Sequence, residues 1–154
     1  MSKIKKTLRR NFKTIRGFYK KYVSFPDENE TSLWLTDNFH LLSREYSSLN
    51  KTLVKNKTLS QTDDNSFFLK QCAEICENGV LPDEDEIISF FKDKETTVMS
   101  LSFLPFFLSF ALLSICAESL KNGNGNVKNT VISLRKLGKI DFERIPAEVS
   151  ETEK

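Results

Sequence analysis

The run TTVMSLSFLPFFLSFALLSICA, Thr96 to Ala117, carries no charge and restricts this chain more than any other feature. At helical rise it is long enough to span a bilayer. Wound as a helix, it is apolar all round. Leu101, Leu104, Leu108, Leu112 and Ile115 fall on one face and Phe103, Phe106 and Phe110 on the other, with Ser100, Ser102, Ser109 and Ser114 between them. Such a helix sits either at the centre of a bundle or in a membrane. Four serines and Pro105 weaken the membrane case, and no belt of Trp or Tyr flanks the run. The expected architecture is therefore a bundle with this helix buried in its middle. The alternative is a small membrane-associated helical protein with 96–117 inserted.

The rest of the chain repeats the helical period. Ile4, Leu8, Ile15, Tyr19 and Tyr22 predict a helix over 3–22, broken by SFPDENE. Leu35, Phe39, Leu42, Tyr46, Leu49 and Leu53 step by four and three, a core-facing stripe on a helix that begins near Thr31. LSQTDDN reads as a polar loop. A third helix over about 66–78 should stop at Gly79 in a left-handed turn. PDEDE opens a fourth, with Asp83 and Glu86 spaced as a capping box and acids at the positive end of the helix dipole. The apolar helix is expected over about 97–121. NGNGN (122–126) is read as a flexible linker, and a helix over about 127–138 stops at Gly138. DFERI starts a short last turn at Asp141, limited by Pro146. No alternating strand pattern and no internal repeat is visible. The prediction is an all-α fold, a single helical domain over 1–154 with about six helices.

A chain of 154 residues, 39% hydrophobic, can bury a core of its own. Its net charge of +2 hides an asymmetry. The first helix and turn, 1–26, hold nine Lys/Arg and no acid, while the remainder carries 14 bases and 21 acids, a balance of −7. A basic arm for nucleic acid or anionic lipid would look like this. The preferred reading is a basic amphipathic helix docked on an acidic body. No motif for reading DNA or RNA accompanies it, so no nucleic-acid partner is expected. Three cysteines, an odd number, argue for a reducing compartment. Cys72 and Cys76, four apart, share a helix face rather than forming a redox or zinc CxxC motif.

Two places invite a chemical reading. His40 lies three residues after Asp37 and could act as a general base oriented by it. No nucleophile or second carboxylate accompanies the pair, so a surface histidine is the better account. Asp83-Glu84-Asp85 matches the Asp-x-Asp form that holds a metal in sugar-nucleotide transferases. Those sites usually follow a strand and none precedes this one, so acids at a helix start explain it better. No catalytic, cofactor-binding or metal-ligating residue is expected.

The polar pair in WLTDNFHLL reads differently. Asn38 falls roughly 60° from the centre of the buried stripe, at its edge, while Asp37 points almost opposite, near His40 and Arg44. Asn38 can therefore fix a neighbouring helix end or loop backbone with its amide, and the Trp34 ring can cover the joint.

WLTDNFHLL resembles the WLLDNF signature near the N-terminus of cyclic β-1,2-glucan synthase-type proteins, large relatives of carbohydrate phosphorylases. LRRNFKTIRGFYKKY resembles that family's opening helix. The stretch from FFLKQCAEICENG through FFLSFALL is similar to its succession of helix, Gly turn, acidic helix start and TPLTIGELWALP-like helix. NVKNTVISLRKLGKIDFERIPAEVS resembles its GNAITSLRLLSALDWRDFFEEVS stretch. The motifs keep the family order over nearly the whole chain. The acid and tryptophan of the family's GELW are missing at Met99 to Phe103, and only KNGNGN bridges two helices between which the family has more.

The resemblance implies glucosyl transfer from a sugar nucleotide, in glycosyltransferase and phosphorylase-like parts that these residues do not include. What it carries over is a helical signature, Trp34, Asp37, Asn38 and Phe39, with Asn129, Ser133, Leu134 and Arg135 fixing the last long helix. The expected function is that of a non-catalytic accessory domain without cofactors, docking on a protein partner or on the catalytic domains of a glycan-synthesising enzyme. The expected location is cytoplasmic, with the inner face of the membrane as the alternative.

Overall fold

The computed structural model describes residues 2–60, 64–92, 94, 101–123 and 125–151. Among them are seven α-helices and no strand. They are α1 (Lys3–Ser24), α2 (Glu30–Lys55), α3 (Asp64–Ile75), α4 (Glu84–Lys92), α5 (Leu104–Asn122), α6 (Val127–Leu137) and α7 (Arg144–Glu151). Single 3-10 turns follow α2 at Lys57–Ser60 and α3 at Glu77–Gly79. The chain is thus the all-α bundle that the hydrophobic period predicts.

Short polar side chains set the helix starts. Ser2 Oγ accepts from the Lys5 amide at 3.3 Å, and Asn29 Oδ1 from Ser32 at 2.8 Å. Asp83 Oδ1 accepts from Glu86 at 2.9 Å. Asp141 Oδ1 accepts from Glu143 and Arg144 at 3.0 and 3.2 Å, opening α7. Each satisfies an amide that the first turn leaves without a carbonyl.

α5 is the central element. It packs against α1, α2, α3 and α6, while α7 lies on α4. Leu104, Phe106, Phe107, Leu108, Phe110, Ala111, Leu112 and Leu113 are all buried, as are Cys116 and Ala117. Each large side chain of this kind contributes about 1.5–3 kcal/mol by leaving water. α1 runs alongside α5, with Asn11 beside Ser114, and antiparallel to α2, with Phe12 beside Tyr46 and Tyr19 beside Phe39.

Three local expectations are corrected. Pro105 lies in the first turn of α5, not inside it, because proline there lacks only an amide that would have no partner. The expected start of that helix near 97 lies outside the described residues. α3 ends at Ile75, and the reversal is made by Asn78 (φ 58°) and Gly79 (φ 77°) together. Gly138 stops α6 as expected, in right-handed geometry (φ −67°). Pro146 sits in the first turn of α7 and does not stop it.

Candidate functional site

Of the signature residues, Trp34, Asn38 and Arg135 meet where α2 packs on α6. Asn38 is 6% exposed. Its Nδ2 donates to the Trp34 carbonyl at 2.9 Å, and its Oδ1 accepts from Arg135 Nη2 at 2.7 Å. The contact runs to a side chain on α6, not to a helix end or loop backbone. Arg135 is exposed and lies over the joint. Beside it the Lys128 ammonium stands 5.7 Å from the Trp34 ring centroid and pairs with Glu30 at 3.3 Å. Phe39 faces the other way, into a stack that ties α1 to α2. Tyr19 and Phe39 lie 4.0 Å apart and nearly parallel, Phe39 meets Phe12 at 5.8 Å, and Phe12 meets Tyr46 at 4.2 Å. Asp37, His40 and Arg44 are exposed.

The second signature group holds α6 to the turn after α3. Ser133 Oγ donates to the Gly79 carbonyl at 2.6 Å and accepts from the Leu81 amide at 2.9 Å, both buried. Asn129 Nδ2 donates to the Asn78 carbonyl at 3.2 Å, and Lys136 Nζ to the Leu81 carbonyl at 3.1 Å. Leu134 is buried in the core. The left-handed pair at 78–79 turns these carbonyls toward α6, so a helix and an irregular segment share one polar seam. Asn126, in the stretch read as a linker, donates its amide to Ser119 Oγ at 2.7 Å.

The acidic helix start is drawn into another joint. Arg144 on α7 bonds Glu84, Asp85 (2.8 Å) and Glu148 (2.7 Å). Glu84 also accepts from the Asp141 amide at 2.6 Å. These bonds, first that of Glu148 and then those of Glu84 and Asp85, raise the Arg144 pKa. Asp83 is taken by its capping bond. Among the described residues no three His, Cys, Asp or Glu are grouped to hold a metal ion. Sequence reasoning missed Arg144, since Glu84 and Asp85 lie about sixty positions away and leave no local signal.

Polar atoms on the apolar helix also find partners. Ser109 Oγ donates to Glu45 Oε2 at 3.1 Å, and Ser114 Oγ accepts from Asn11 Nδ2 at 2.8 Å. The serines in the charge-free run were the sequence signal for such partners. α5 is long and apolar enough to cross a membrane, and 72% of its most apolar window is buried against the other helices.

The outer face of α1 differs from the rest of the surface. Lys3, Lys6, Arg9, Arg10, Lys13, Arg16, Lys20 and Lys21 are exposed, opposite the buried Leu8, Phe12 and Ile15. Among the described residues none of these bases forms an ion pair. Arg16 and Lys21 stand over Phe12 and Phe18 at 5.9 and 5.7 Å. The expected docking of a basic amphipathic α1 on the rest of the bundle is present, and its charges do not make it. The helix docks through its apolar stripe and turns its charge outward, where water solvates the charge.

No protein-family model matches the chain, and neither a curated protein nor a solved structure matches it.

Proposed function

We propose that this chain is a non-catalytic helical docking domain that serves glycan synthesis through protein contacts. One observation carries the reading: the polar groups that the resemblance and the acidic helix start single out, Asp37 apart, are engaged in joining helices or capping one. Asn38 is tied to Arg135, Ser133 to the 79–81 backbone, and Glu84 and Asp85 to Arg144. A group held in this way cannot also shuttle protons or bind diphosphate without breaking the bundle. The link to glycan synthesis rests on the ordered motifs that resemble cyclic β-1,2-glucan synthase-type proteins. The partner that fits is a transferase or phosphorylase part of such an enzyme. The polar face of α2 around Asp37, His40 and Arg44 is free to meet it.

The purified chain is expected to co-elute with a glycan-synthesising enzyme encoded beside it. By itself it should neither transfer glucose from a labelled sugar nucleotide to a β-1,2-linked acceptor nor cleave or phosphorolyse such a glucan. Turnover that survives repurification and disappears in Asp83→Asn/Asp85→Asn would overturn this reading and make the acidic helix start a metal site.

A further inference from the structure

We infer that the outward face of α1 is a docking surface for an anionic lipid bilayer, with the bundle adsorbed on the membrane and no helix inserted. This surface is separate from the polar face of α2 and does not depend on the glycan reading.

The first support is charge. α1 has 22 residues and is about 33 Å long. Lys6, Arg9, Arg10 and Lys13 line one open depression on it. Lys13, Gly17, Phe18 and Lys21 line a second, joined there by Lys121 from the end of α5, so the basic surface is wider than one helix. No acid occurs anywhere in residues 1–26. Holding so many like charges on one face without acids to pair them costs stability through self-repulsion, and an anionic surface removes that cost.

The second support is the apolar rim at the same end. Phe25 is 77% exposed and Val23 54%. They lie two and four residues after Lys21 in the chain. A bilayer interface offers both halves of this pattern, headgroup phosphates for the bases and the acyl boundary for a phenyl ring. A nucleic-acid duplex supplies the charge but no apolar layer, and its exposed surface offers the Phe25 ring nothing to enter. The face also lies along one uninterrupted helix, Lys3–Ser24, and a plane can touch it over several turns. α1 differs from an amphipathic helix that folds into lipid. Its apolar stripe is already spent on α2 and α5, so adsorption is mainly electrostatic and must fall steeply with salt.

The test is sedimentation of the full chain with phosphatidylcholine vesicles, with and without about 30% phosphatidylglycerol. Binding is expected to the anionic vesicles alone, and to weaken at least about tenfold when salt is raised from 50 to 500 mM. Each base near the surface is worth about fivefold in partitioning. Lys6→Gln/Arg9→Gln/Arg10→Gln/Lys13→Gln should therefore lose about 100-fold or more, with an unchanged helical spectrum and a melting point at or above that of the native chain. Phe25→Ser should lose several-fold. A control with the same change of net charge elsewhere, Lys51→Gln/Lys55→Gln/Lys92→Gln/Lys139→Gln, should bind nearly as the native chain does. Absence of binding to the anionic vesicles, equal binding to neutral ones, or an equal loss in the control overturns the proposal. So does tighter binding to an oligonucleotide than to the anionic vesicles, lost in the α1 variant, which would assign the face to nucleic acid.

Discussion

Asn38 and Asp37 are neighbours with opposite fates, and the helix period alone separates them. One turn of α2 places the Asn38 amide under α6 and leaves the Asp37 carboxylate in water. Asn38→Leu removes the acceptor of Arg135 Nη2 and the donor to the Trp34 carbonyl, so it should cost about 1–3 kcal/mol. Asp37→Ala should stay within about 0.5 kcal/mol. Urea midpoints of the two variants measure the difference, and equal shifts would show that the Asn38–Arg135 bond holds nothing. The edge position of Asn38 was legible in the Leu35–Phe39–Leu42 stripe. Arg135 as its partner was not, because the two residues lie 97 positions apart in the chain.

At the scale of elements, the joints rather than the helices carry the specificity. The 78–81 turn and α6 interlock through Gly79. A Cβ there would meet Thr130 Oγ1 at 3.3 Å and Asn129 Cβ at 3.6 Å, in a backbone already left-handed. Gly123 has the same handedness (φ 72°) but faces open space. Gly123→Ala should therefore cost only the left-handed penalty, about 1–2 kcal/mol. Gly79→Ala also forces the Thr130 hydroxyl on α6 to give way by a few tenths of an ångström and should cost more, with hydrogen exchange accelerated in α6 as well as in the turn. Thermal melts of the pair give the comparison, and equal destabilisation would mean that α6 does not press on the turn. Gly79 was readable from the sequence as a helix stop. That it also admits α6 was not, because close approach belongs to the packed pair and not to either segment.

On the scale of the whole molecule, the core holds three thiols. Burial pushes Cys76 up to about 12 and Cys72 well above its ordinary value, the latter also through repulsion from Cys76. Cys116 is pushed up to about 12 by burial, against an opposing hydrogen bond with Thr130. A thiol raised in the folded state favours folding fully below its unfolded pKa, near 9.0. As pH climbs from there toward about 12, the unfolded chain releases its protons first and stability falls. The loss is up to about 1.4 kcal/mol per pH unit for each thiol. Urea midpoints at pH 8 and 10.5 should therefore diverge more in the native chain than in Cys76→Ala/Cys116→Ala. Comparing slopes with pH removes the constant cost of the cavities. Equal slopes would mean that the thiols ionise alike in folded and unfolded chains.

The hydrophobic period, the charge-free run and the short polar residues at helix starts were enough to fix an all-α bundle around one buried helix. Each of these acts within a few residues, through backbone hydrogen bonds and the side of a helix that leaves water. Tertiary structure alone decided where the polar groups went. Ser109 and Ser114 are satisfied by Glu45 and Asn11, and the acids at Glu84 and Asp85 by Arg144. It also decided that α1 turns its charge away from the body. Partners distant in sequence are chosen by which faces meet once the apolar stripes are buried, and no local pattern carries that choice.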